Sequence, residues 1–299
     1  MSDHHQGQYP PPSHLIAHIS DTHFLGGARK LYGTVDTDTS VHRALAQLER
    51  SGLRPDAFVL TGDIVDRGEA DAYRRVRDIV ESAAERLGAA VIWVMGNHDE
   101  RSAFRTELLR ETGSTAPVDG VFDIRGLRII ALDTSVPGYH HGEVDESQLE
   151  WLAGVLSEPA PLGTLLALHH PPVPIPSPLM SILELRDQHR LAAVVGGSDI
   201  RGILGGHLHS ATTTLFAGIP VSVAAATCYT LDPSATAREL TGVDGGQSFN
   251  LVRVYENQVT HSHVPVGAFD VATHFDEAFL ERLEALTESE RREAFSRHT

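Results

Sequence analysis

"AFVLTGDIVDRG", residues 57–68, is an apolar, β-favouring run that breaks into Gly62-Asp63 and then Asp66-Arg67-Gly68. Short runs of this kind with turn residues at their ends predict strands. The same plan recurs along the chain. "LIAHIS" (15–20) leads into Asp21-Thr22-His23, and "AVIWVM" (90–95) into Gly96-Asn97-His98-Asp99. "TLLAL" (164–168) leads into His169-His170-Pro171, and "IRGILG" (200–205) into Gly206-His207-Leu208-His209. Amphipathic helices are predicted between the first three runs. One covers Thr37 to Arg50 and stops at Gly52; the other covers 69–88, with Ala72, Val76, Ile79, Val80 and Ala83 at helical spacing and Gly88 at its end. A β-α-β-α-β order calls for parallel strands with helical crossovers. Ligands in such sheets collect outside the carboxyl ends of the strands, and all of these polar clusters fall there.

The second half has a different texture. A helix is predicted over about 101–111, and two strands within 121–134, joined tightly at Arg125–Gly126. Helices follow over 145–156 and near 184–195, and the runs "TTTLFAG", "IPVSVAAAT", "SFNLVRVYE" and "QVTHSHVPV" alternate with turn residues as antiparallel strands do. The expected fold is α/β: a four-layer α-β-β-α sandwich of two facing mixed sheets with helices outside. Residues 1–13 read as a flexible lead-in, 14–266 as one layered domain and 267–299 as a helical tail. In that tail Phe275, Phe279, Leu283 and Leu286 form a stripe expected to dock on its own domain. "PPVPIPSP" (171–178) reads as a rigid rim, and 229–247 as a long loop suited to a lid or a subunit contact.

Composition narrows the function. A 299-residue chain with 41% hydrophobic residues can bury a sizeable core, and a net charge of −16 argues against a nucleic-acid polymer as partner. A phosphate ligand remains compatible, because bound metal ions add positive charge that the formal count omits. Cys228 is the single cysteine, so neither an intrachain disulfide nor a thiolate cluster can form. That fits a reducing, cytoplasmic setting, with Cys228 as a small buried side chain. The start of the chain carries no secretory-signal pattern, and no apolar run approaches the ~20 residues of a membrane span. His4 and His5 are read as part of the lead-in and not as ligands.

His nitrogens and Asp oxygens without Cys suit borderline and hard divalent ions such as Mn, Fe, Zn or Co. The groups suffice for two ions if one carboxylate is shared. The glycines beside Asp63, Asn97 and His207 let the backbone turn tightly there.

Asp21-x-His23, Gly62-Asp63-x-x-Asp66-Arg67-Gly68, Gly96-Asn97-His98-Asp99, His169 and Gly206-His207-x-His209 together resemble the calcineurin-like binuclear metallophosphoesterase family. The wider text "HISDTHF", "KLYG", "GDIVDRGE", "WVMGNHDE", "LDTSVPGYHHGE", "LHHPP" and "GHLHS" is similar to the class III cyclic-nucleotide phosphodiesterases of mycobacteria and related actinobacteria, over about residues 14–265. Glycerophosphodiesterases share "ISDTHF", "KLYG" and "HHPP" and, with a broad-specificity phosphodiesterase of the same family, are the alternative.

The resemblance implies a metallophosphoesterase domain over 14–266 and hydrolysis of 3′,5′-cyclic nucleotides (cAMP and cGMP), with 2′,3′-cyclic nucleotides as further substrates, by attack of a metal-bridging hydroxide. It implies two divalent ions, Mn or Fe first and Zn or Co as alternatives. Asp21, His23 and His209 would hold the first ion, and Asn97, His169 and His207 the second, with Asp63 bridging both. His98 would serve the leaving group and Asp66 would orient His98. Asn97, His98 and His140 would contact a small-molecule phosphodiester, His140 from the "PGYHHGEV" loop (137–144). A homodimer is implied. Other residues take structural readings: His170 by strand alternation, His18 as a satisfied core histidine, and Arg67, His261 and His263 in the scaffold or in solvent.

Overall fold

In the computed structural model the described residues are 8–175, 177–236 and 238–297. His4 and His5 lie outside them. The elements run β1 (His14–Ile19), α1 (Thr37–Arg50), β2 (Ala57–Thr61), α2 (Ala70–Leu87), β3 (Ala90–Val94) and α3 (Arg101–Phe104). They continue with β4 (Gly120–Ile124), β5 (Leu127–Leu132), α4 (Glu146–Leu156), β6 (Thr164–Leu168), α5 (Gln188–Val195), β7 (Ile200–Gly205), β8 (Thr212–Phe216) and β9 (Ile219–Val223). Then come the short pair β10 (Thr230–Leu231) and β11 (Gly242–Val243), the long hairpin β12 (Ser248–Val254) and β13 (Val259–Pro265), and α6 (Glu277–Glu284) and α7 (Glu288–Arg291).

Two mixed sheets result. One has the order β13-β12-β1-β2-β3, the other β4-β5-β6-β7-β9-β8. β1, β2 and β3 are mutually parallel, with Ile16 opposite Ala57 and Ala57 opposite Ala90. β5, β6, β7 and β9 are parallel in the same way. Antiparallel β12 and β4 join the two parallel sets at one side. Strand alternation sends one face of each sheet inward. Ile16, Val59 and Ile92 from the first sheet meet Ile129, Leu165 and Leu204 from the second in a single cluster. The outer face of the first sheet packs Ala17, Phe58 and Leu60 under Val41, Leu45 and Val76 of α1 and α2. The outer face of the second packs Ile130, Leu166 and Ile203 under Leu149, Leu152 and Leu191 of α4 and α5. Each such buried aliphatic side chain contributes roughly 1.5–3 kcal/mol, so three apolar layers hold the four-layer sandwich together.

Local chemistry fixes the ends of the helices. The Asp36 carboxylate accepts from Thr39 N at the start of α1, and Asp145 forms a reciprocal capping pair with Gln148 at the start of α4. Gly88 ends α2 in the left-handed conformation, φ 73°. The helix expected over 101–111 is regular only in α3; a wider turn, Arg105–Leu109, follows and Arg110 closes it. The helix expected near 184–195 is split. A short turn at Met180–Leu183 precedes α5, and Asp187 between them has φ 48°, which interrupts the helix.

The described chain divides into two units, residues 12–267 and a second comprising 8–11 with 268–297. The tail is not one helix from 267. Thr287 starts a new helix by a reciprocal capping pair with Glu290, which breaks the run after α6. Phe275 and Phe279 meet Phe295 within the tail itself, at ring separations of 4.8, 5.6 and 5.5 Å within the trio.

Candidate metal centre

The loops after β1, β2, β3, β6 and β7 gather at one end of the sandwich. Asp21, His23, Asp63, His169, His207 and His209 are all buried there, and Asn97 is half-buried. Asp21, His23, Asp63, His207 and His209 have φ of 51, 45, 48, 69 and 52°. Left-handed backbone costs a non-glycine residue roughly 1–3 kcal/mol, so the surrounding structure holds these loops against local preference. The loops also pass very close to one another. A Cβ on Gly96 would lie 2.1 Å from Asp63 N.

Asp63 occupies the middle. Its Oδ2 lies 3.4 Å from His23 Nε2 and 3.3 Å from His169 Nε2. On one side His209 Nε2 is 3.4 Å from Asp21 Oδ1, and the His23 and His209 rings are 5.2 Å apart. On the other, His169 Nε2 lies 3.0 Å from Asn97 Oδ1, and the His169 and His207 rings are 5.1 Å apart. His23 Nε2 is buried and has no hydrogen-bond partner among the described residues. Atoms that share an ion at 2.0–2.2 Å sit about 3–3.5 Å from each other, which is the spacing of these pairs. The donor set therefore fits two cations with Asp63 between them.

The far nitrogen of each of these histidines is already committed. His23 Nδ1 faces Asp66 Oδ1 at 3.2 Å, His169 Nδ1 faces Thr61 O at 2.8 Å, His207 Nε2 faces Leu183 O at 3.0 Å, and His209 Nδ1 faces Tyr229 O at 2.9 Å. Donating that nitrogen outward leaves a lone pair on the other, as a metal-binding imidazole needs. Burial pushes His207 and His209 down to about 3 and 4, so both rings are neutral. Burial also opposes a proton on His169, but Asp63 and Asp21 pull its pKa up to about 9. A field that favours a proton so strongly favours a cation for the same reason.

Asp99 fastens the loops from behind. Its carboxylate accepts from Gly96 N, Ile64 N, Val65 N and the Tyr73 hydroxyl at 2.9–3.2 Å. Burial and the Asp63 charge push its pKa up to about 7 against the three N–H donors.

His98, Asn97 and His140 form the solvent side. His98 N donates to Asp63 Oδ1 at 2.8 Å, and Asn97 Nδ2 pairs with His140 Nδ1 at 2.9 Å. The His98 and His140 rings are 4.9 Å apart. Asp66 contacts both His23 and His98. Its backbone carbonyl takes His98 Nδ1 at 3.0 Å, while its carboxylate lies nearer His23 (3.2 Å) than His98 (3.6 Å). The Asp66 carboxylate thus faces both rings, His23 the more closely, and the Asp66 carbonyl meets His98 Nδ1.

His170 comes closer than strand alternation suggests, with its ring 4.5 Å from that of His207. Both of its nitrogens are engaged, Nδ1 with Thr134 Oγ1 at 2.8 Å and Nε2 with His140 O at 3.2 Å. Cys228 is buried with Sγ 3.7 Å from His209 Nδ1. Nothing in the local sequence signals that contact, since Cys228 and His209 approach only through the fold. The Leu183 and Tyr229 carbonyls have no sequence signal either, because every residue carries one. No helix among the described residues is long and apolar enough to cross a membrane.

The chain is similar to known proteins over most of its length. Residues 14–211 match the family model for calcineurin-like phosphoesterases. A cAMP/cGMP dual specificity phosphodiesterase of Mycobacterium tuberculosis is 54% identical over 268 residues, covering 90% of this chain and 84% of its own. A probable cyclic nucleotide phosphodiesterase of Rhodococcus erythropolis is 52% identical over 261 residues, covering 87% and 86%. Among solved structures, a dimetal phosphatase from Danio rerio superposes with a TM-score of 0.62 at 16% identity, covering 86% of this chain and 97% of that one.

Proposed function

The chain belongs to the calcineurin-like phosphoesterase family, and from that premise we propose that it is a binuclear metal-dependent phosphodiesterase that hydrolyses 3′,5′-cyclic nucleotides. The names of the mycobacterial and Rhodococcus relatives support the substrate class. The observation that carries the reading is Asp63 Oδ2 between His23 Nε2 and His169 Nε2, at 3.4 and 3.3 Å. Asp21, His23 and His209 would hold one ion, Asn97, His169 and His207 the other, and Asp63 both. Mn or Fe suits this set of nitrogens and oxygens, with Zn or Co as alternatives. A pair of such ions supplies a nucleophile from water at neutral pH and positive charge for the phosphoryl oxygens.

The side chains around that pair have distinct work. Asp63 presents Oδ2 to both histidine sets while Oδ1 holds the His98 backbone. Burial opposes charge on His98, yet Asp63 and Asp66 raise its pKa above the ordinary value. With Nδ1 on the Asp66 carbonyl, His98 has Nε2 to hand a proton to the departing oxygen. Asn97 and His140, paired beside it, form the edge that meets the rest of the substrate.

Asp21 and Asp63 are the carboxylates among the proposed ligands. Two divalent ions against two carboxylates and a hydroxide would leave one positive charge, which suits a singly charged diester better than a doubly charged monoester. A homodimer and a cytoplasmic setting go with this reading, supported by the family resemblance and by the single cysteine.

The test is product analysis with cAMP, cGMP, 2′,3′-cyclic nucleotides, glycerophosphodiesters and a matched monoester, at defined Mn, Fe or Zn loading. Cyclic nucleotides are expected to be hydrolysed most efficiently. Glycerophosphodiesters winning by orders of magnitude would overturn the substrate class, and monoesters equalling diesters would overturn the charge argument.

A further inference from the structure

His18 sits on β1, three residues before Asp21, and is fully buried. Alternation puts it on the face of Ile16, which packs between the sheets with Val59, Leu204 and Val252. An apolar side chain would be the more stable occupant of such a position, because a buried polar group has lost its water. Burial pushes the His18 pKa down to about 3, and the His261 ring adds to the fall, so the imidazole is neutral. The Gly205 carbonyl lies near enough to raise that value slightly without reaching hydrogen-bond geometry. The bond the ring does make is from Nε2 to Thr61 Oγ1, at 2.9 Å.

Thr61 is the last residue of β2, just before Gly62-Asp63. Its hydroxyl lies 2.8 Å from Ser20 Oγ, and Ser20 Oγ reaches Thr61 O at 3.1 Å. The same carbonyl accepts from His169 Nδ1 at 2.8 Å. Residues from the ends of β1, β2 and β6 therefore meet at one carbonyl oxygen. The space around it is full. A Cβ on Gly206, beyond β7, would lie 2.0 Å from Ser20 Oγ and 2.7 Å from Thr61 O.

We propose that His18 is a positioning residue for the metal centre: by holding the Thr61 hydroxyl it fixes the Thr61–Ser20 pair, and with it the carbonyl that aims His169. His18 touches neither substrate nor ions and acts through Thr61. An imidazole anchored at its far nitrogen keeps the near lone pair on the ion, and losing such an anchor weakens metal affinity. The proposal rests on the two-ion reading of the centre and is independent of which diester is cleaved.

The test is titration of the full-length protein with Mn(II) alone, followed by calorimetry. His18→Gln places an amide nitrogen where Nε2 lies and keeps the bond. His18→Leu removes it, and Thr61→Val removes it from the other side. Affinity is expected to fall about tenfold in His18→Leu and in Thr61→Val, to stay within about twofold in His18→Gln, and to fall no further in the double variant. Equal affinities across the set, additive losses, or a His18→Gln protein as weak as His18→Leu overturns the proposal. If His18→Leu does not fold, Thr61→Val against Thr61→Ser decides: serine keeps the affinity and valine loses it, and equal affinities count against the proposal. Wild-type protein that binds fewer than two ions overturns the reading of the centre and the proposal together. Two ions in wild type with every variant equal overturns the proposal alone.

Discussion

Asp66 Oδ1 lies 3.2 Å from His23 Nδ1, closer than the 3.6 Å to His98 Nδ1. The carboxylate therefore lies closer to His23 than to His98, whose Nδ1 meets the Asp66 backbone carbonyl. Asp66→Ala should lower Mn(II) affinity about 10–100-fold, as loss of an imidazole's outer partner does. Unchanged affinity with a slower reaction would show that the carboxylate acts on His98 instead. Calorimetric titration separates these outcomes.

His98→Ala and Asp63→Ala should part company. On the proposed reading His98 serves the leaving group, so His98→Ala is expected to keep both metals and lose roughly 10²–10⁴-fold in rate. Asp63 stands between both histidine sets, so Asp63→Ala is expected to lose metal and rate together. Elemental analysis alongside steady-state kinetics checks both. An Asp63→Ala protein with full metal content and full rate would contradict the bridge.

Gly206→Ala places a Cβ 2.0 Å from Ser20 Oγ, 2.7 Å from Thr61 O and 2.9 Å from Asp21 Oδ2. One of these is backbone and the others are held in the network beneath the centre. Overpacking of this kind costs about 1–3 kcal/mol or more. Thermal unfolding should show a lower midpoint than wild type, and metal uptake should fall with it.

His18 makes stability pH-dependent in a known direction. Its pKa in the folded protein is about 3 against 6.5 for a free imidazole. Above 6.5 neither state is protonated and the group contributes nothing. As pH falls from 6.5 towards 3 the unfolded chain takes up a proton that the folded protein does not, and stability is lost at about 1.4 kcal/mol per pH unit. The metal-free protein should lose this slope in His18→Leu. Urea midpoints at pH 7 and pH 5 would reveal it, and an unchanged difference between wild type and variant would count against a buried neutral His18.

The order of the strands and the groups at their ends was legible in the chain. Short continuous apolar runs and period-3.6 hydrophobicity separate β1–β3 from α1 and α2, and polar residues follow β1, β2 and β3 within three positions. Where legibility failed, a single residue had outweighed periodicity. Asp187, with φ 48°, splits the helix expected near 184–195, and Thr287 restarts the tail helix by capping it. Periodicity registers the apolar face but not a local cap that competes with helix continuation.

The sequence by itself determined that His23, Asp63, Asn97, His169, His207 and His209 follow strands, because residue type and alternation are local properties of the chain. Only the tertiary structure decided which nitrogen of each histidine faces the centre. That choice is made by distant backbone carbonyls at Thr61, Leu183 and Tyr229 and by the Asp66 carboxylate. A carbonyl is present at every residue and carries no sequence signal. It becomes an anchor only when two packed sheets bring it within 3 Å of one particular ring.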